Sequence, residues 1–120
     1  MQKNSPQCQF VGTLETIVGK WKPLIIYLLL KGEPLRFNEL RRLLPDITQR
    51  MLTLSLRELE EDEIVKRVVY PQVPPKVEYS ITEYGMSLSP VMETLHQWGA
   101  AHVERMKRTK ERIITSDSAD

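Results

Sequence analysis

The 120 residues predict a mainly α fold carrying a two-stranded β wing, and three stretches lead to that class. "RFNELRRLLPDITQRMLTLSLRELEEDE" (36–63) holds two amphipathic patterns separated by a turn so short that they form a helix-turn-helix. "KVEYSI" (76–81) alternates Val77, Tyr79 and Ile81 with Lys76, Glu78 and Ser80, the period of a half-buried strand. "KPLIIYLLLKG" (22–32) is apolar nearly all round, which belongs to a helix in the middle of a domain.

Taken in order, residues 1–10 read as a flexible N-terminal arm, 11–108 as one domain with its terminal helices, and 109–120 as a frayed tail. "TLETIVGK" predicts a short first helix with Thr13 as N-cap and Gly19 as terminator. In the central helix Pro23 suits the first helical position and Gly32 the residue after the C-cap. The next helix places Phe37, Leu40, Leu43 and Leu44 on one stripe, and Pro45 ends it. Thr48 then caps a helix whose core stripe is Met51, Leu52, Ser55, Leu56 and Leu59. "IVKRVVY" and "KVEYSI" form a ribbon around the proline-stiffened tip "PQVPP", since proline cannot donate to a ladder. A long helical region follows, with Pro90 starting or bending its main part. A ribbon directly after a helix-turn-helix is a wing, so the architecture is a winged helix-turn-helix with additional N- and C-terminal helices.

Composition excludes several classes. The longest apolar run, Pro23 to Leu30, falls well short of the roughly 20 residues of a membrane span. "MQKNSPQCQF" lacks the organisation of a signal peptide. A single cysteine cannot form an internal disulfide, so the fold is independent of an oxidising compartment. A soluble cytoplasmic protein is expected. No glycine-rich phosphate loop, cysteine cluster or nucleophile–base set points to an enzyme or a cofactor. His96 and His102 lie six residues apart on a helix and do not share a face, so no metal site is expected.

The net charge of +1 conceals a sorted distribution. Arg36, Arg41, Arg42, Arg50 and Arg57 outweigh Glu39 and Asp46, and five acids then follow within "ELEEDE" (58–63). The outward side of the second helix begins Thr48, Gln49, Arg50, Thr53, Leu54, Arg57 and ends in carboxylates. A helix N-terminus carries partial positive charge and free amides, which suit a phosphate-lined groove. Arginine pairs bidentately with guanine, glutamine with adenine, and Thr53 or Leu54 can meet a thymine methyl. The acids belong at the end that leaves the groove. Arg36, Arg42 and Lys76 are cast as phosphate clamps. Arg57 has a plainer alternative, a surface pair with Glu61 one turn on. The whole fold has one too, since winged helices also serve as protein-interaction modules without nucleic acid; that reading predicts an uncharged or acidic outer helix face.

"CQFVGTLETIVGKWK", the helix-turn-helix stretch continued to Arg67, "VYPQVPPKVEYSITEYG" and "HQWG" together resemble the HxlR-type transcriptional regulators, a bacterial winged-helix group related to MarR regulators. The likeness spans Cys8 to Gly99. It implies a homodimer on a pseudo-palindromic double-stranded DNA operator, with the terminal helices at the interface. In the family, the helix matching Thr48 to Asp62 enters the major groove and the ribbon follows the backbone. The two reading helices then stand about 34–36 Å apart. Some family members sense oxidants or electrophiles through a cysteine placed like Cys8.

Two readings of Cys8 stay open: a small residue packed beside the first helix, or a thiol sensor whose thiolate Lys20 or Lys22 stabilises. Leu14, Leu88, Met92, Leu95, Trp98 and His102 are the expected dimer interface, because a terminal amphipathic helix on a small domain has an apolar face to cover. A cleft beside Trp21, Tyr27 and Trp98 would admit a small aromatic effector.

Overall fold

The helix around Pro23 is buried along one face and not all round, since Leu24 and Tyr27 are exposed. In the computed structural model, which describes residues 6–17 and 19–118 with side chains at 7, 9–14 and 19–113, helix α2 spans Trp21–Leu29. Ile25, Ile26 and Leu29 on it are almost fully buried. Pro23 is the third residue of α2 rather than the first, still in the turn where N–H groups lack intrahelical acceptors. Gly32 ends the run at φ +98°, a conformation open to glycine, and its N–H donates to the Leu29 carbonyl at 3.0 Å.

Helix α1 spans Pro6–Ile17, so residues 6–10 are its opening turns rather than part of a loose arm. Thr13 is not an N-cap. It lies mid-helix and its hydroxyl donates to the Gln9 carbonyl at 2.9 Å, the alternative such residues take inside a helix.

The helix-turn-helix is formed by α3, Phe37–Leu43, and α4, Gln49–Glu61. Between them the Leu44 N–H returns to the Leu40 carbonyl, and the Ile47 N–H to that of Leu44, each at 3.0 Å. Leu40, Leu44 and Ile47 are buried with Leu52, Leu56 and Leu59 of α4, and α2 packs against α4. Burying each such side chain is worth about 1.5–3 kcal/mol. Two assignments to the core stripe fail. Leu43 is 53% exposed and Met51 39%, because both sit at the margin of their helix's apolar sector.

Strands β1, Val65–Tyr70, and β2, Lys76–Ile81, pair antiparallel from Val65↔Ile81 to Tyr70↔Lys76. Proline-rich residues 71–75 turn the ribbon, with Val73 wholly exposed at its tip. Leu35, directly before α3, bridges β2: its N–H donates to the Tyr79 carbonyl at 2.9 Å and its carbonyl accepts from Tyr79 at 2.8 Å.

The end of α4 is closed by two reverse bonds, Glu63 N–H to the Glu60 carbonyl and Ile64 N–H to the Leu59 carbonyl, each 3.0 Å. Glu63 takes φ 62°, where glycine is the usual occupant. Thr82 ties the ribbon to this corner by donating to the Glu63 carbonyl at 2.6 Å, and it caps α5, Glu83–Met86, by accepting from Gly85 at 2.8 Å. Gly85 is there for space: a Cβ would stand 2.4 Å from the Ile64 carbonyl oxygen.

The chain divides into two compact units, Met1–Leu88 and Ser89–Asp120. The second is helix α6, Ser89–Ser118, with Pro90 in its first turn. Residues 109–118, expected in the tail, continue it. Its exposed apolar stripe is Val91, Leu95, Trp98, Met106 and Ile113, with Trp98 67% exposed. His102 stacks on Trp98, ring centroids 4.9 Å apart. Among the described residues no helix is long and apolar enough to cross a membrane.

Candidate nucleic-acid interface

Thr48 sets the start of α4. Its backbone is extended, φ −79° and ψ 155°, and its hydroxyl accepts the Met51 N–H at 3.0 Å. That bond satisfies one orphan donor and leaves the rest of the first turn directed outward. With Leu52, Ser55, Leu56 and Leu59 held in the core, the 3.6-residue period turns the intervening positions to solvent. Gln49, Arg50, Thr53, Leu54 and Arg57 are exposed and line one shallow depression along α4. Thr48 stands at the cap beside them. Among the described residues no ion pair joins Arg57 to Glu61, so the guanidinium is not held by the carboxylate one turn on.

The expected phosphate clamps also meet. Arg36, Arg42 and Lys76 line a second depression between the start of α3 and the ribbon, and the Leu35 bridge brings those elements together. Arg36 precedes α3, where its N–H donates to Glu39 Oε1 at 3.0 Å. Arg42 also borders a third depression with Asn38 and Arg41. Asn38 and Arg41 join the candidate set. Charge counting had registered Arg41 without a role, and nothing in the sequence singled out Asn38.

Lys76 is less available than its sequence position suggests. Its Nζ lies 3.4 Å from Glu78 Oε1 and 5.1 Å from the centre of the Tyr70 ring. Both partners were readable: Glu78 is two residues along on the same strand face, and Tyr70 is opposite in register.

The acidic end of α4 is managed differently. Glu58 pairs with Lys22 of α2, whereas Glu61, Asp62 and Glu63 are exposed. Tyr79 on β2 has its hydroxyl pKa raised above the ordinary 10.0, chiefly by burial, with nearby Glu60 adding to the rise and Arg67 opposing it.

Cys8 lies on α1, but its side chain falls outside those described. The two lysines considered as its partners are engaged elsewhere: Lys22 with Glu58, and Lys20 over the Trp21 ring at 4.7 Å. Of the expected interface residues, Leu14, Leu95, Trp98 and His102 are exposed, Leu88 is half-buried and Met92 is buried. Phe10 and Val11 extend the exposed apolar face around Leu14.

Chemically, α4 offers two guanidinium groups and an amide on an exposed face with its carboxylates at the far end, while the cations to one side share their depression with Glu39, and Lys76 is paired with Glu78. It suits a polyanion whose interior carries acceptors.

Comparison with known proteins agrees. The family model described as HxlR-like helix-turn-helix matches residues 16–107. The HTH-type transcriptional regulator YdeP of Bacillus subtilis is 52% identical over 101 residues, 84% of this chain and 78% of the relative. YybR of the same organism, also described as an HTH-type transcriptional regulator, is 47% identical over 114 residues, 95% of this chain and 90% of its own. The solved structure of the redox regulator HypR in its reduced form superposes with a TM-score of 0.78 at 52% identity, covering 82% of this chain and 97% of that one. With its winged helix-turn-helix, the chain belongs to the HxlR-like helix-turn-helix family and is a DNA-binding transcriptional regulator.

Proposed function

We propose that the protein acts as a homodimer on a pseudo-palindromic operator, with α4 from its N-terminus through Arg57 in the major groove and the ribbon along the backbone. The observation that carries this reading is the gathering of Gln49, Arg50, Thr53, Leu54 and Arg57 on one exposed face, with the carboxylates beyond them. Arg50 and Arg57 read guanines, Gln49 reads adenine, and Arg36, Arg41 and Arg42 grip phosphates. A second copy covers the exposed stripe of α6 and the Phe10–Leu14 face of α1, which are too apolar to leave wet. The cytoplasm is the compartment where such a protein meets its operator.

Footprinting on DNA flanking the gene, followed by titration of Arg50→Ala and Arg57→Ala at matched salt, tests the docking. Loss of sequence preference at one operator position for each variant is expected. Unchanged operator affinity in both would sink the model.

Effector control is part of the same proposal, in one of two forms: a small aromatic molecule or an electrophile acting at Cys8. The likeness to a redox regulator supports the second. Diamide-driven operator release, compared between wild type and Cys8→Ser, separates the two. Equal responses exclude the sensor.

A further inference from the structure

The middle of the reading face is apolar in effect, although its sequence does not say so. Leu54 is 44% exposed between Arg50 and Arg57. Its neighbour Thr53 looks like a polar reader, but its hydroxyl donates to the Gln49 carbonyl at 2.8 Å. The proton is therefore engaged inside the helix, and Thr53 retains for a base only its methyl group and an oxygen lone pair. Gln49, Arg50, Thr53, Leu54 and Arg57 share one depression, so the methyl and the isobutyl group stand on the surface that the guanidinium groups flank. In the major groove, the apolar feature a base edge presents is the thymine 5-methyl group.

We infer that Thr53 and Leu54 determine specificity by contacting thymine methyl groups, and that each half-site places thymine between two guanines. The inference rests on the reading above, that this face of α4 enters the major groove. The spacing is fixed by the helix. Arg50 and Arg57 are seven residues apart, about 10 Å along the helix axis, with Thr53 and Leu54 between them. Thymine belongs inside that interval.

The alternative role for Thr53, hydrogen bonding to a base through its hydroxyl, makes a different demand. It requires the oxygen and is indifferent to the 5-methyl group. Two substitutions therefore separate the roles. Thr53→Ser keeps the hydroxyl and its bond to Gln49 while deleting the methyl, and Leu54→Ala deletes the isobutyl group from an exposed position that the fold does not depend on.

The experiment starts with selection of bound duplexes from a randomised pool by the full-length chain. Each half-site thymine in the winning sequence is then replaced singly by deoxyuridine, which lacks only the 5-methyl group. At one or two positions between the guanines, wild-type affinity should fall about fourfold per methyl, the worth of one buried carbon. The same replacement should leave the affinity of Leu54→Ala or Thr53→Ser unchanged, each at its own position. A selected half-site without thymine in the interval overturns the inference. So does a wild type that binds its selected site specifically but ignores every deoxyuridine, and in both cases the DNA-reading model survives. If no duplex is enriched at all, the reading underneath has failed and this inference goes with it.

Discussion

Lys22 of α2 and Glu58 of α4 form an ion pair that joins the central helix to α4 where the acidic run begins. The lysine side chain is mostly enclosed, 14% exposed, while the carboxylate is 41% exposed. Solvent screening of Glu58 holds the pair to about 1 kcal/mol or less. Lys22→Ala should lower stability by that amount in urea titration and leave a bare carboxylate beside the reading face, weakening operator binding. A double-mutant cycle with Glu58→Ala measures the coupling. Strictly additive losses would show that the two side chains do not act together.

Lys76 is held by Glu78, so the phosphate contact proposed for it competes with that pair. Glu78→Gln should raise affinity for operator and random duplexes alike. Lys76→Ala should weaken both and reduce the slope of log affinity against log salt by about 0.9, the value of one phosphate contact. A salt series on one specific and one unrelated duplex checks both changes.

Gly85 is the tightest point of the corner that joins α4, the ribbon and α5. The Ile64 carbonyl and Ile81 side chain occupy the space a methyl would take. Gly85→Ala should cost about 1–3 kcal/mol, the usual penalty of overpacking. Thermal unfolding reads the loss, and a variant as stable as wild type would contradict the packing.

The Tyr79 hydroxyl has its pKa raised mainly by burial, so the folded state favours its neutral form. A raised folded value means that stability is fully present below the unfolded pKa near 10.0 and is lost as pH climbs past it. Unfolding free energy should therefore fall above about pH 10. Tyr79→Phe should remove that part of the decline.

Much of this molecule is legible in the sequence wherever a pattern repeats. Pro23 and Gly32 mark α2, Thr48 marks α4, and the alternation of Val77, Tyr79 and Ile81 marks β2. Single events escape such reading. The Leu35 bridge occupies one residue and has no period. The start of α1 lies in "PQCQFVG", where proline, glycine and polar residues obscure the amphipathic signal. Leu43 and Met51 look like core because hydrophobicity was read without the neighbours that decide which edge of a stripe is covered. The set on α4 was visible because one helix carries it. The grouping of Arg36, Arg42 and Lys76 depends on the tertiary fold, and charge alone does not bring the three together. The Lys22–Glu58 pair, 36 positions apart in the chain, had no local trace.

The two backbone hydrogen bonds between Leu35 and Tyr79 have a mechanical result for recognition. They fasten the hairpin, at Tyr79 of β2, to the segment that leads into α3. On the docking proposed above, a duplex that is too wide or too narrow across its backbones is met by splaying the hairpin only if that seam breaks. The bend or compression must then come from the DNA, and stiff sequences should bind worse than pliant ones even at base pairs no side chain touches.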